Sequence, residues 1–234
     1  MDKPNHFLGR ESKLMKFFDR VMKPGRKVII SLFGAQQGEE LIREFRSEFE
    51  ALIPEMPLMR KDDQLLERQL ILCTVYLAIY KTMKKRGKNA EEIWQLCHAI
   101  VEAMVKSIPG VFRWLARKRL FSKKEKNREM KSAGISQERQ FPEDFVFKYV
   151  EGNGTDFDYG LDMTECVMCK FYSRQNADDF LPYICKTDYV FSELFGYELI
   201  RTKTIVQGDD LCDFRFKKQY KRLESGEGLA LKNL

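Results

Sequence analysis

Histidine is scarce: only His6 and His98 occur in 234 residues. His98 falls in a helical stretch and reads as a hydrogen-bonded or half-exposed helix residue, not a catalytic one. Long apolar runs are missing too. No stretch of about 18 apolar residues occurs, so no transmembrane helix is expected. The first residues, MDKPNHFLGRESK, lack the basic-then-apolar layout of a secretory leader, and a cytoplasmic protein is expected. A second Cys-x-x-Cys is also missing. Cys166-x-x-Cys169 has spacing suited to zinc or an iron–sulfur cluster, but Cys185 and Cys212 follow singly, which weakens a metal reading. Asp156, Asp158 and Asp162 invite a calcium loop, yet the glycine and glutamate that an EF-hand needs at loop positions six and twelve are not there.

What is present is ordinary for a globular chain: 44% hydrophobic and 32% charged residues, with a net charge of +6. That length makes one large domain or two small ones. Nine Lys/Arg against two Glu fall within 111–131, a local excess of seven positive charges. Aromatics are not interleaved through 122–131 as single-strand nucleic-acid binding requires. The stretch therefore reads as a solvated helix end running into a connector. No nucleic-acid or membrane partner is expected, and a homo-oligomer is left open.

The periodicities divide the chain. Residues 11–53 are helical, with a break at Pro24-Gly25 and a bend at Gly34–Gly38. A buried helix spans 63–86 and stops at Gly87. Asn89 caps the next helix, which reaches Ser107. After Pro142 the pattern changes to alternation, with Asn153-Gly154 as a type I′ hairpin signal. The returning strand places Phe157, Tyr159, Leu161 and Met163 on one face. Thr164 is a candidate cap for a short helix through Cys166 and Cys169, and a further helix carries Cys185 and Asp188 to Gly196. A second hairpin covers 197–217. The expected fold class is α+β: a helical N-terminal half, then an antiparallel sheet of two hairpins with short Cys-bearing helices packed on it. The expected division is a helical region 1–121, a linker 122–142, an α+β region 143–218 and a polar tail 219–234.

The last third concentrates the chemistry. Four of the six cysteines, Cys166, Cys169, Cys185 and Cys212, lie there. Cys185 and Asp188 are three apart and share a helix face. Strict alternation puts Cys212, Phe214 and Phe216 on one strand face and Asp213, Arg215 and Lys217 on the other. Cys212 and Asp213 can line one pocket only at a bulge or strand end. A thiol near cations can be a nucleophile, an Asp can orient water or take its proton, and Arg201 and Arg215 can hold a carboxylate with forked hydrogen bonds. A purely structural role for these thiols, as small buried hydrophobes, remains open at this point.

The order of these residues resembles the L-2-amino-thiazoline-4-carboxylic acid hydrolase family. The likeness is carried by FVFKYVEGNG…FDYGLDMTEC, Cys185-x-x-Asp188, Phe195-Gly196-x-x-Leu199-x-Arg201-Thr202-x-Thr204, and Gly208-x-x-x-Cys212-Asp213-Phe214-Arg215-Phe216. It is specific over about 145–218 and consistent across the helical half. The resemblance implies a hydrolase of cyclic amidines, acting at their C–N bonds, within cysteine metabolism. The substrate it implies is a thiazoline carrying a carboxylate, opened to a carbamoyl-cysteine-type product. Cys166, Cys185, Asp188, Arg201, Cys212, Asp213 and Arg215 then hold motif positions. The expected catalytic set is Cys185, Asp188, Cys212 and Asp213. Arg201, Arg215 and Cys166 are expected to bind substrate, without metal or cofactor. The nucleophile is Cys185, Cys212 or an activated water. The rival function is a thiol-based metal or small-molecule sensor without turnover.

Overall fold

The computed structural model describes residues 5–60 and 64–219. Of the tail expected over 219–234, all but its first residue lies outside the described residues. The chain is α+β, with eight α-helices and one four-stranded antiparallel sheet among the described residues. It divides into two compact units.

The first unit comprises, among the described residues, those within 5–60, 64–108, 140–144 and 167–184. Helix α1 (Glu11–Phe33) runs through Pro24 without the expected break. Gly25 is needed there because the helix passes close to α4: a Cβ would sit 2.9 Å from Ile100 Cγ2. Gly34, at φ 80°, makes the turn into α2 (Ala35–Leu52). Helix α3 (Gln64–Lys85) is buried nearly all round, as its unbroken apolar run demands. Helix α4 (Ala90–Lys106) begins with a capping box, Asn89 with Glu92. Helix α7 (Val167–Arg174) is fastened to α3 by the Tyr172 hydroxyl, which donates to Cys73 O at 2.6 Å. Among the described residues no helix is long and apolar enough to cross a membrane.

The second unit comprises residues 109–139, 145–166 and 185–219 among the described residues. Its sheet has the order β1–β2–β4–β3, from β1 (Val146–Glu151), β2 (Tyr159–Glu165), β3 (Glu198–Ile200) and β4 (Cys212–Lys217). The two expected hairpins do share one sheet. Asn153-Gly154 is not a two-residue turn, however. Glu151 pairs with Tyr159, so seven residues connect the strands. Asn153 Oδ1 instead collects the N–H groups of Thr155 and Asp156. Thr164 lies inside β2 and donates to Val146 O; it caps no helix.

The stretch 122–142, expected to be a linker, carries helix α6 (Lys123–Ser136), capped by Ser122. Its inward positions are Glu125, Glu129, Ser132, Ala133 and Ser136. These recur at helical spacing but are polar, so a hydrophobic pattern cannot reveal them. The glutamates are neutralised by Arg128, at 2.6 Å and 3.1 Å, and Ser136 Oγ accepts the Phe147 N–H at 3.1 Å. In the preceding helix α5 (Gly110–Leu120), Arg113 donates to Leu194 O and Arg117 to Gly196 O. Part of the basic stretch thus caps the C-terminal end of helix α8 (Leu181–Phe195).

On the outer sheet face Arg215 crosses Gly160 to pair with Asp162 at 2.8 Å and stack on Phe157. Gly160 makes this crossing fit: an added Cβ would lie 2.6 Å from Phe214 O and 2.8 Å from Arg215 Cδ. Gly160→Ala is therefore expected to displace Arg215 and cost about 1–3 kcal/mol. A denaturation midpoint unchanged from wild type would refute this.

Candidate active site

Helix α8 and the β3–β4 connection build the site, and all of its parts lie in the second unit. Arg201 leaves the end of β3 with a side chain only 1% exposed. A guanidinium in that position needs a partner. Asp188, one turn along α8 from Cys185, supplies it: Arg201 Nη1 donates to Asp188 Oδ2 at 2.9 Å. Arg201 Nη2 donates to Cys185 O at 2.8 Å. The ring of Tyr189 lies 5.1 Å from the guanidinium carbon and that of Phe214 lies 4.9 Å away. Tyr189 also donates its hydroxyl to Arg201 O at 3.3 Å. Arg201 Nε is buried and has no hydrogen-bond partner among the described residues. It is a donor left over in an otherwise satisfied group.

Two thiols, Cys185 and Cys212, act on this pair, and Cys166 acts on both of them. Burial pushes the Cys185 thiol far up; Arg201 opposes that, while Cys166, Asp188 and Cys212 add to it. Burial also raises Cys212, and here two influences work against it: the Ile205 N–H, which donates to Sγ at 3.3 Å, and Arg201. Both thiols are therefore protonated at rest, and Cys212 alone of the two has a backbone donor aimed at its sulfur. Cys166, at the end of β2, contributes to the field at both. Cys169 lies on α7, in the first unit. Among the described residues no three His, Cys, Asp or Glu side chains are arranged to hold a metal.

Cys166, Cys185, Asp188, Arg201 and Cys212 thus come together. Asp213 and Arg215 do not join them. The β2–β4 register runs without a shift from Met163–Cys212 to Tyr159–Phe216, so the bulge that would let Cys212 and Asp213 line one pocket is not there. Asp213 turns to the outer face and accepts the Thr202 N–H, the Lys203 N–H and the Thr202 hydroxyl. Arg215, on the same outer face, is paired with Asp162. Tyr189 and Phe214 were not foreseen as site residues. Their signal was positional only: one follows Asp188 in the chain, and the other shares the strand face of Cys212.

The sequence profile of the L-2-amino-thiazoline-4-carboxylic acid hydrolase family matches residues 67–216, which include every member of this cluster. The chain belongs to that family. No curated protein sequence and no solved structure matches it. The family name indicates a hydrolase, and the matched span takes in much of the helical half as well as the sheet up to Phe216.

Two outcomes follow from the charges. Asp188→Asn leaves Arg201 buried without its countercharge and is expected to cost about 2–3 kcal/mol, read from a chemical denaturation curve. Asp213 titrates below the ordinary carboxyl value: burial alone would raise it, but the Thr202 hydroxyl and the N–H groups of Lys203 and Thr202 together outweigh burial. A carboxyl lowered on folding stabilises above its unfolded pKa, and that stability is lost as pH falls through the folded value. Asp213→Asn is therefore expected to flatten the acid limb of the stability curve; an acid limb as steep as that of wild type would contradict this.

Proposed function

We propose that this chain hydrolyses a small cyclic amidine bearing a carboxylate, 2-aminothiazoline-4-carboxylate or a close analogue, to a carbamoyl-cysteine-type product. The observation that carries the reading is the buried Arg201–Asp188 pair with the Cys212 and Cys185 thiols around it. The family assignment supports the substrate class.

The roles follow from the donors and acceptors. Arg201 Nε is the free donor for the substrate carboxylate. The Asp188 carboxylate stabilises the amidinium that forms once the ring nitrogen has taken a proton. Cys212 is the nucleophile, because Ile205 N–H stabilises charge on its sulfur. A buried neutral thiol and a neutral amidine activate each other by one proton transfer. The proton leaves Cys212 for the ring nitrogen, giving a thiolate next to an electrophilic amidinium carbon with no net charge added to the site.

The thiolate then forms a C–S bond to that carbon, and collapse of the tetrahedral centre breaks the ring C–S bond, leaving an isothiouronium on Cys212. Water adds to the same carbon, and the enzyme sulfur departs. One water proton goes to the substrate sulfur and the other returns to Cys212, directly or through Asp188. The sum is substrate plus water to a ureido product with a free thiol. Both C–N bonds of the amidine carbon survive, so the bond opened is carbon–sulfur and not the carbon–nitrogen bond suggested by the broad class of amidine hydrolases.

Incubation of the purified chain with 2-aminothiazoline-4-carboxylate, followed by mass spectrometry, tests the reading. Wild type is expected to release the mass of substrate plus water. Cys212→Ser is expected to lose at least about a hundredfold in turnover, and Cys185→Ser to retain most of it. Full turnover by Cys212→Ser would remove Cys212 as nucleophile, and full turnover by Cys185→Ser as well would remove the covalent route and leave a water activated by Asp188. A wild-type chain that binds the compound and never consumes it would favour the sensor function.

A further inference from the structure

The connection between β3 and β4 uses an unusual set of acceptors. Four consecutive backbone N–H groups, from Thr202 to Ile205, each meet a side chain rather than a carbonyl. Those of Thr202 and Lys203 donate to Asp213 Oδ1 at 2.8 and 2.5 Å. That of Thr204 donates to Asp209 Oδ2 at 2.8 Å. That of Ile205 donates to Cys212 Sγ at 3.3 Å. Asp213 holds the first two links, and its other oxygen takes the Thr202 hydroxyl at 2.6 Å. The chain on one side of this segment is Arg201; on the other it is the N–H that reaches the Cys212 sulfur.

We infer that Asp213 is the positioning residue of the active site: from the outer face of the sheet it fixes the 202–205 backbone so that the Ile205 N–H meets Cys212 Sγ and Arg201 meets Asp188. The inference deepens the proposed reaction and rests on that reading of Cys212, but its geometry needs no substrate. Residues 212 and 213 point to opposite faces of β4, so Asp213 acts on the thiol only through the loop. The loop can transmit this because its N–H groups are fixed in series, each two-bonded neighbour limiting the dihedral freedom of the next. A carboxylate is suited to the place, since it accepts two N–H groups and a hydroxyl at once and binds them more strongly than a neutral acceptor. The charged or titratable groups acting on the Cys212 thiol besides this N–H are Cys166, Asp188 and Arg201. Of these only Arg201 adjoins the loop that Asp213 holds, and its displacement would raise the Cys212 thiol in the same direction as loss of the Ile205 N–H.

The test is the pH dependence of iodoacetamide alkylation of Cys212, followed peptide by peptide by mass spectrometry in the folded chain. Asp213→Asn keeps size and one acceptor but loses the charge. Thr202→Val removes only the hydroxyl bond. In Asp213→Asn the alkylation midpoint of Cys212 is expected to rise by about one pH unit, and in Thr202→Val by less. Turnover of 2-aminothiazoline-4-carboxylate by Asp213→Asn is expected to fall about tenfold in kcat with KM little changed, and Asp213→Glu to recover part of it. A midpoint equal to that of wild type in both variants, with native circular dichroism, would overturn the inference. So would a fall in activity that appears only as a higher KM. If wild type consumes no aminothiazoline carboxylate but the midpoint still moves, the substrate reading fails and the positioning role stands. Should Asp213→Asn not fold, the midpoint in Thr202→Val decides: a rise supports the role, and no change refutes it.

Discussion

The Arg201–Asp188 pair is the constraint on which the second unit's chemistry depends. A guanidinium that is 1% exposed cannot be left without compensation, and its compensation comes from several places at once: a carboxylate and a carbonyl on α8, and rings on α8 and β4. Satisfying it forces α8 against the end of β3, and that approach brings the Cys185 and Cys212 thiols into one electrostatic neighbourhood. Buried ion pairs of this kind contribute little net stability compared with apolar packing. What this one supplies is a defined place for opposite charges to appear together. An amidine accepting a proton from a thiol needs such a place.

The inner and outer faces of the sheet divide the work. Cys212, Phe214 and Arg201 serve the inner side. Asp213 and Arg215 serve the outer side, one holding a loop and the other an ion pair across Gly160. In the proposed reaction this separates residues adjacent in the chain into chemical and supporting roles. It also explains why a compact Cys-Asp-aromatic-Arg-aromatic run need not be a single reactive cluster.

Much of this was legible in the amino-acid order. Alternation along 212–217 assigned the faces correctly, and the three-residue spacing of Cys185 and Asp188 placed both on one side of a helix. The α+β class followed from the change of periodicity after Pro142. Other parts were hidden for physical reasons. Helix α6 turns glutamates and serines inward, so its burial carries no hydrophobic signal. Asn153 looked like half of a tight turn because its side chain can serve either as a turn former or as an acceptor for a wider loop, and only the register between β1 and β2 separates the two. Pro24 is accommodated within α1, where the local rule predicts a break. The Tyr189 and Phe214 rings meet Arg201 by tertiary approach, which no spacing rule encodes.

The four N–H groups of the 202–205 segment also bear on how the site can be transplanted. Asp209, Cys212 and Asp213 serve as acceptors for a backbone segment that ends four residues before the first of them. The segment and its acceptors therefore form one structural unit. A graft that moved Arg201 and Cys212 onto another sheet without Asp209 and Asp213 would carry the reactive groups but not the scaffold that aims them. On the proposed reading the 201–213 stretch would have to be moved whole.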